Sequence, residues 1–320
     1  MSIELVVMYL GFALAAYSVV GNDTIQTLGT FLSSNESKKW WVLWLFTGSI
    51  LAITLVYGYV EYNGDVSYGR LAKYPIPEPF SWYYLLPPIV LMLLTRTGIP
   101  VSTSFLILTF FNEKNLDDMV FKSISGYLVS FTAAIILYFL ITKFLEKRFI
   151  EKAITDKETK RWTILQWFST GFLWSQWLIQ DFANIYVYLP RELDIWSMIF
   201  SLIIILSLLA YIISSKGGAI QNIIKSKTNT VDIRSATIID FVYGIVLFYF
   251  KELNNIPMST TWVFIGILAG REIALNFVLK RNENRLKMFK SLGKDLAKVF
   301  LGLAISIVLV FVVKYLATSI

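Results

Sequence analysis

Two aspartates 158 positions apart each have amide side chains close by in otherwise apolar sequence. The first is Asp23, in Gly21-Asn22-Asp23-Thr24-Ile25-Gln26, and the second is Asp181, in Gln180-Asp181-Phe182-Ala183-Asn184. Two hydroxyl clusters, each behind a proline, stand 157 positions apart: Pro100-Val101-Ser102-Thr103-Ser104 and Pro257-Met258-Ser259-Thr260-Thr261. An ionised carboxylate within lipid is costly and points to function by default. Asp23, Gln26, Asp181 and Asn184 offer hard oxygen ligands suited to a small cation such as sodium. The alternative is that each aspartate caps a helix segment or lies near an interface. Hydroxyls directly after a proline at a helix start add donors to free backbone N–H groups and a positive dipole end, which suits an oxyanion. Capping of the helix's own backbone is the competing role. The two pairs need one another. Carriage of a dianion into a negative interior costs about 4.6 kcal/mol at about 100 mV, and co-transported cations offset it.

Chemistry of other kinds is excluded by composition. The 320 residues contain no histidine and no cysteine. Imidazole bases, Ser-His-Asp triads, thiolate nucleophiles and Cys-ligated metals are therefore absent. An enzyme acting on phosphorylated lipids through an aspartate is disfavoured by the lack of histidine and of a sizeable soluble part, so the chain is expected not to be an enzyme.

The elements that position these residues are apolar helices. Hydrophobic residues make up 56% and charged residues 16% of the chain. Mean hydropathy is +0.62. Apolar runs at 3–20, 41–60, 123–142, 162–179, 195–213 and 297–317 are each long enough to cross a bilayer. Residues 81–111 and 236–279 instead read as short apolar arms around polar, proline-containing breaks, the form of a re-entrant helical hairpin. The runs at 3–20 and 162–179 are expected to lead into helix breaks at Asp23 and Asp181. The fold class is thus an all-α polytopic membrane protein of two inverted-topology repeats, each with a broken helix and a re-entrant hairpin. The repeats cover 1–142 and 162–320, with a cytoplasmic linker at 143–161.

Charge orients the chain. The formal net charge of +7 lies in loops rather than in a nucleic-acid patch. Loops 143–161, 214–235 and 280–295 are positive and belong inside; loops 61–80 and 112–122 are negative and belong outside. With both hairpins re-entrant, each half has three crossings and both termini fall outside. Arg96, Lys251 and Glu252 flank the breaks, and Arg96 is as readily a snorkelling cation as an anion ligand. Arg271-Glu272 reads as a structural pair or anchor, and the tryptophans as interface belts and packing.

The two aspartate segments resemble the paired G-A-N-D-x-A-N signatures of the inorganic phosphate transporter (PiT) family. The two proline-led clusters resemble its P-x-S-T-T-H motifs. The resemblance implies a plasma- or inner-membrane symporter of inorganic phosphate, coupled to sodium or protons and without a cofactor, and some relatives carry sulfate. It assigns phosphate to Ser102, Thr103, Ser104, Ser259, Thr260 and Thr261 with Asn22 and Gln180, and the cation to Asp23, Gln26, Asp181 and Asn184. A homodimer is compatible with such a transporter. Phe105 and Trp262 stand where the family has histidine, Ser104 where it has threonine, and Gln26 and Gln180 where it has asparagine. Another oxyanion, or a non-transporting subunit of the same fold, are the alternatives these departures leave.

Overall fold

The computed structural model describes all residues except 1, 97–100, 113–115, 142–143, 145–147, 150–151, 216–231, 254–258, 279–284 and 320. The expected breaks at 97–100 and 254–257 lie outside the described residues, as do most of loop 214–235 and the side chains of Lys251 and Glu252. The first half comprises α1 (Ile3–Ser34), α2 (Trp40–Glu61), a 3₁₀ turn (Trp82–Leu85), α3 (Leu86–Arg96), α4 (Thr103–Phe111) and α5 (Leu116–Ile141). The second comprises α6 (Asp156–Tyr186), α7 (Ile195–Ser214), α8 (Ile233–Leu253), α9 (Thr260–Val278) and α10 (Arg285–Ser319).

Among the described residues, six helical segments are long and apolar enough to cross a membrane: 3–24, 40–61, 120–141, 195–214, 260–278 and 285–312. The chain is an all-helical, multi-pass membrane protein. Lipid is the solvent for its outer faces, so large apolar side chains such as Ile53, Val60, Trp196, Phe200 and Phe311 stand exposed. Polar side chains turn inward instead. A buried polar stripe runs along α1 through Asn22, Asp23, Thr27 and Thr30, and another runs along α6 through Gln166, Thr170, Gln180, Asp181 and Asn184.

The elements depart from a simple reading of the sequence at four places. First, α1 and α6 are continuous through Gly21-Asn22-Asp23 and Gln180–Asn184. Glycine, asparagine and aspartate weaken a helix by about 1 kcal/mol or less each, whereas only proline removes a ladder bond. Second, the run 162–179 is not among these apolar spans, although the 31-residue helix that contains it is long enough to cross. It belongs to α6, whose glutamines and hydroxyls face protein rather than lipid. Third, α6 begins within the expected linker, at a capping box formed by Thr155 and Glu158, and α10 begins at Arg285, so the basic stretch 285–295 is helix rather than loop. Fourth, the two hairpins differ. Helices α3 and α4 have 11 and 9 residues, too short to cross alone. Helices α8 and α9 have 21 and 19, and each is long enough by length. Prolines 87 and 88 sit in the first turn of α3, where a missing N–H costs nothing.

The packing partners are nearly unchanged when the halves are exchanged. Helix α1 packs on α3 and α7, as α6 packs on α8 and α2; α5 packs on α9, as α10 packs on α4; α1 also packs directly on α6. The α5–α9 contact is close because of Gly266 and Gly270, one turn apart on α9. A Cβ on Gly270 would lie 2.6 Å from the Phe131 carbonyl oxygen and 2.7 Å from the Ala134 Cβ. Small residues at this spacing let two membrane helices approach to backbone contact. The tryptophans divide: Trp40, Trp41 and Trp82 are exposed, while Trp174 and Trp177 stack in the core with centroids 4.8 Å apart.

Candidate functional site

The site forms where the second half of α1 and the last turns of α6 meet the starts of α4 and α9. Asn22 and Asp23 come from α1, Asp181 and Asn184 from α6, and all four are buried. Ser102 caps α4, its hydroxyl accepting from the Phe105 N–H at 3.3 Å. Ser259 stands in the same relation to α9, accepting from the Trp262 N–H at 3.3 Å. The capping role is therefore real for the first hydroxyl of each cluster. It also aims the positive ends of two helices at one place.

The following hydroxyls connect the halves. The Thr103 hydroxyl accepts from the Asn184 amide at 3.0 Å and donates to Asp181 Oδ1 at 3.4 Å. Asn184 also donates to Asp181 Oδ1. The Thr260 side chain lies beside Asp181, and the Thr103 side chain beside Asp23. The Thr261 hydroxyl donates to the Val101 carbonyl at 3.1 Å, and the Asn22 amide donates to the same carbonyl at 3.2 Å. The start of one hairpin's second arm thus touches the start of the other's. Asn22 further donates to Asp23 Oδ1 at 2.6 Å. The Tyr243 hydroxyl, from α8, closes one side by donating to the Thr260 carbonyl at 3.1 Å.

Two sequence-predicted residues stand apart. The Gln180 amide donates to the Leu247 carbonyl on α8 at 3.2 Å. Gln26 is buried one turn beyond Asn22, and no hydrogen bond among the described residues joins it to either aspartate. Ser104 is buried in the first turn of α4. Arg96 is exposed at the end of α3. Arg271 lies over the Tyr138 ring, 5.8 Å from its centroid.

The donor set fits a cation. Asp23 Oδ2, Asp181 Oδ2 and Asn184 Oδ1 are buried oxygens without a hydrogen-bond donor. The Thr24 and Thr27 hydroxyls, also on α1, are unpartnered as well. Buried acceptors left without donors are expensive. Two carboxylates in each other's field repel. A small hard cation among these oxygens removes both costs.

Sequence reasoning missed two charged groups. Asp240 on α8 is 1% exposed and accepts from the Thr30 hydroxyl on α1 and the Thr170 hydroxyl on α6. An acid in an apolar arm was its visible signal. Arg70, in the segment joining α2 to the 3₁₀ turn, is 4% exposed. Burial pulls its guanidinium down to about 10, while Asp181 and Tyr62 act to hold it up. It remains a cation at neutral pH. No sequence signal separates it from a surface loop charge.

Comparison with known proteins finds no matching family model and no matching curated protein. A solved structure described as "The sodium-dependent phosphate transporter" matches 98% of this chain and 100% of its own length, with a TM-score of 0.64 and 15% sequence identity. From end to end, the chain has the fold of that transporter.

Proposed function

We propose that the chain is a secondary active transporter that carries inorganic phosphate across the cell membrane, plasma or inner, in symport with sodium or protons. One observation carries the proposal: Thr103, from the first hairpin, is hydrogen-bonded to both Asp181 and Asn184 of the other half. Anion-binding and cation-binding chemistry thereby share one buried cluster. The cation rests on Asp23, Asp181 and Asn184. The phosphate rests on hydroxyls and backbone donors at the starts of α4 and α9, at Ser102 to Ser104 and Ser259 to Thr261. Asn22 donates to the Val101 carbonyl and so positions the start of α4, while Gln180 donates to the Leu247 carbonyl and holds α8, the other arm of the second hairpin. A bound cation neutralises the aspartates that would otherwise repel a dianion.

Two inverted repeats, 1–142 and 162–320, are the architecture that best explains packing nearly unchanged under exchange of halves. In this arrangement both hairpins are re-entrant, the basic loops face the cytoplasm and both termini lie outside.

A second anion is favoured by one feature. Phe105 and Trp262 are buried aromatic side chains at the positions where the resembled motif carries histidine. The site therefore has no imidazole to answer the protonation state of phosphate, and sulfate becomes the competing cargo. Purified protein in proteoliposomes separates these readings. Uptake of labelled phosphate should rise with an inward sodium or proton gradient and exceed that of labelled sulfate. Preference for sulfate would identify the second cargo. No gradient-driven uptake of either anion would refute the transporter reading and leave a non-transporting subunit.

A further inference from the structure

The segment 62–81 is a folded cap. Asp65 accepts from the Ser67 and Gly69 N–H groups at 2.7 and 2.9 Å. The Leu193 N–H donates to the Gly64 carbonyl at 3.0 Å, and Arg191 donates to the Tyr74 carbonyl at 2.7 and 3.1 Å. The cap is thus fastened to the loop between α6 and α7, in the other half. Within it the Arg70 N–H donates to the Ser67 carbonyl at 3.2 Å, so the backbone that carries this arginine is held on both sides.

The side chain points inward, and its Nε and Nη1 are buried without a hydrogen-bond partner. A buried guanidinium with unused donors is among the least tolerable groups in a protein interior. The carboxylate whose field reaches it is Asp181, and Asp181 Oδ2 is likewise without a partner. Two buried opposite charges therefore lie within each other's field without an ion pair between them, each with unused hydrogen-bonding capacity. An oxyanion with an attendant monovalent cation would satisfy both. The anion's oxygens accept from Nε and Nη1, and the cation sits on Asp181 Oδ2.

We propose that Arg70 is a direct ligand of the transported oxyanion, lowered into the site by the 62–81 cap, and that it selects for an anion with two oxygens able to meet the guanidinium edge. This inference rests on the transporter reading above. It places a charged donor to the anion on a segment outside both hairpins. A planar two-point donor favours tetrahedral oxyanions over spherical anions such as chloride.

The test uses the full chain in proteoliposomes with labelled phosphate and labelled sulfate, comparing wild type with Arg70→Gln and Arg70→Lys. Arg70→Gln should raise the KM for the transported anion about ten- to a hundredfold, the loss expected of a charged hydrogen bond. The half-saturating sodium concentration should change by less than about threefold at saturating anion. Arg70→Lys should recover part of the KM and lose discrimination against chloride. Anion-dependent thermal stabilisation in detergent, at fixed sodium, should be present in wild type and lost in Arg70→Gln. This second measurement serves if a variant reconstitutes poorly. An unchanged KM in Arg70→Gln, or a fall in kcat with KM unchanged, would overturn the inference and leave Arg70 as an electrostatic prop for Asp181. Wild type without uptake of either anion would instead overturn the transporter reading itself.

Discussion

Replacement of Asp181 by asparagine tests the cation site most directly. The side chain is fully buried, and its two oxygens differ. Oδ1 accepts from Asn184 and Thr103, which an amide oxygen can still do, while Oδ2 has no partner. Asp181→Asn therefore keeps the local hydrogen bonds and removes one unit of charge from the unpartnered side. Removal of one member of a buried charge pair costs about 3–5 kcal/mol. At about 1.4 kcal/mol per tenfold, sodium affinity should fall by roughly a hundred- to several-thousandfold. Uptake at ordinary sodium concentrations should vanish, and the Hill coefficient for sodium should drop wherever uptake remains measurable. The assay is sodium-titrated phosphate uptake in proteoliposomes, paired with melting temperature in sodium against potassium. The wild-type stabilisation by sodium should disappear in Asp181→Asn. In potassium the variant should melt no lower than wild type, because a repulsive buried carboxylate has gone. An unchanged half-saturating sodium concentration, with an unchanged Hill coefficient, would refute the assignment.

Other consequences follow from packing and capping. Gly270→Ala pushes a methyl to 2.6 Å from the Phe131 carbonyl oxygen and should destabilise by about 1–3 kcal/mol. Gly293→Ala, with nothing within 4 Å of the new atom, should instead stabilise by about 0.5–1 kcal/mol in the same unfolding assay. Thr30→Val and Thr170→Val each remove a hydroxyl donor from Asp240, and each should cost about 1–3 kcal/mol of stability. Their double variant should deviate from additivity, because both act on one carboxylate. Asp194 caps α7, and its bonds to Ser197 hold its carboxyl below the usual range. Its stabilisation is complete above the unfolded value of about 4 and is lost as pH falls through the lower folded value. Asp194→Ala should thus lower the melting temperature at pH 7, and the gap to wild type should close in acid.

The legible parts of the fold were those where lipid alone decides. Over 41–60, 123–141 and 195–213 the expected runs are helices with exposed apolar faces because nothing but length and hydropathy governs them. Helix α6 was harder. Its crossing was expected as an ordinary apolar span, yet its glutamines, threonines and asparagine face α1, α2 and α8 rather than lipid. The expected breaks at Asp23 and Asp181 failed for a related reason: these side chains find partners inside the bundle, so the backbone has no need to unwind. Glycines 266 and 270 carried a readable small-residue spacing, but only α5 shows what it is for.

Charge in an apolar run is conspicuous, because lipid cannot solvate it. That made Asp23 and Asp181 visible as a pair, and the repeat of the hydroxyl clusters at almost the same offset tied them together. Sequence by itself therefore determined the solvent, the helical class and the acidic and hydroxyl halves of the candidate site. Tertiary structure alone decided which hydroxyl meets which carboxylate, that Asn22 and Gln180 donate to hairpin carbonyls, and that a loop arginine lies buried within the field of Asp181. Those facts depend on distances between segments far apart in the chain. Hydropathy and spacing describe each segment against its surroundings and carry no information about which two segments touch.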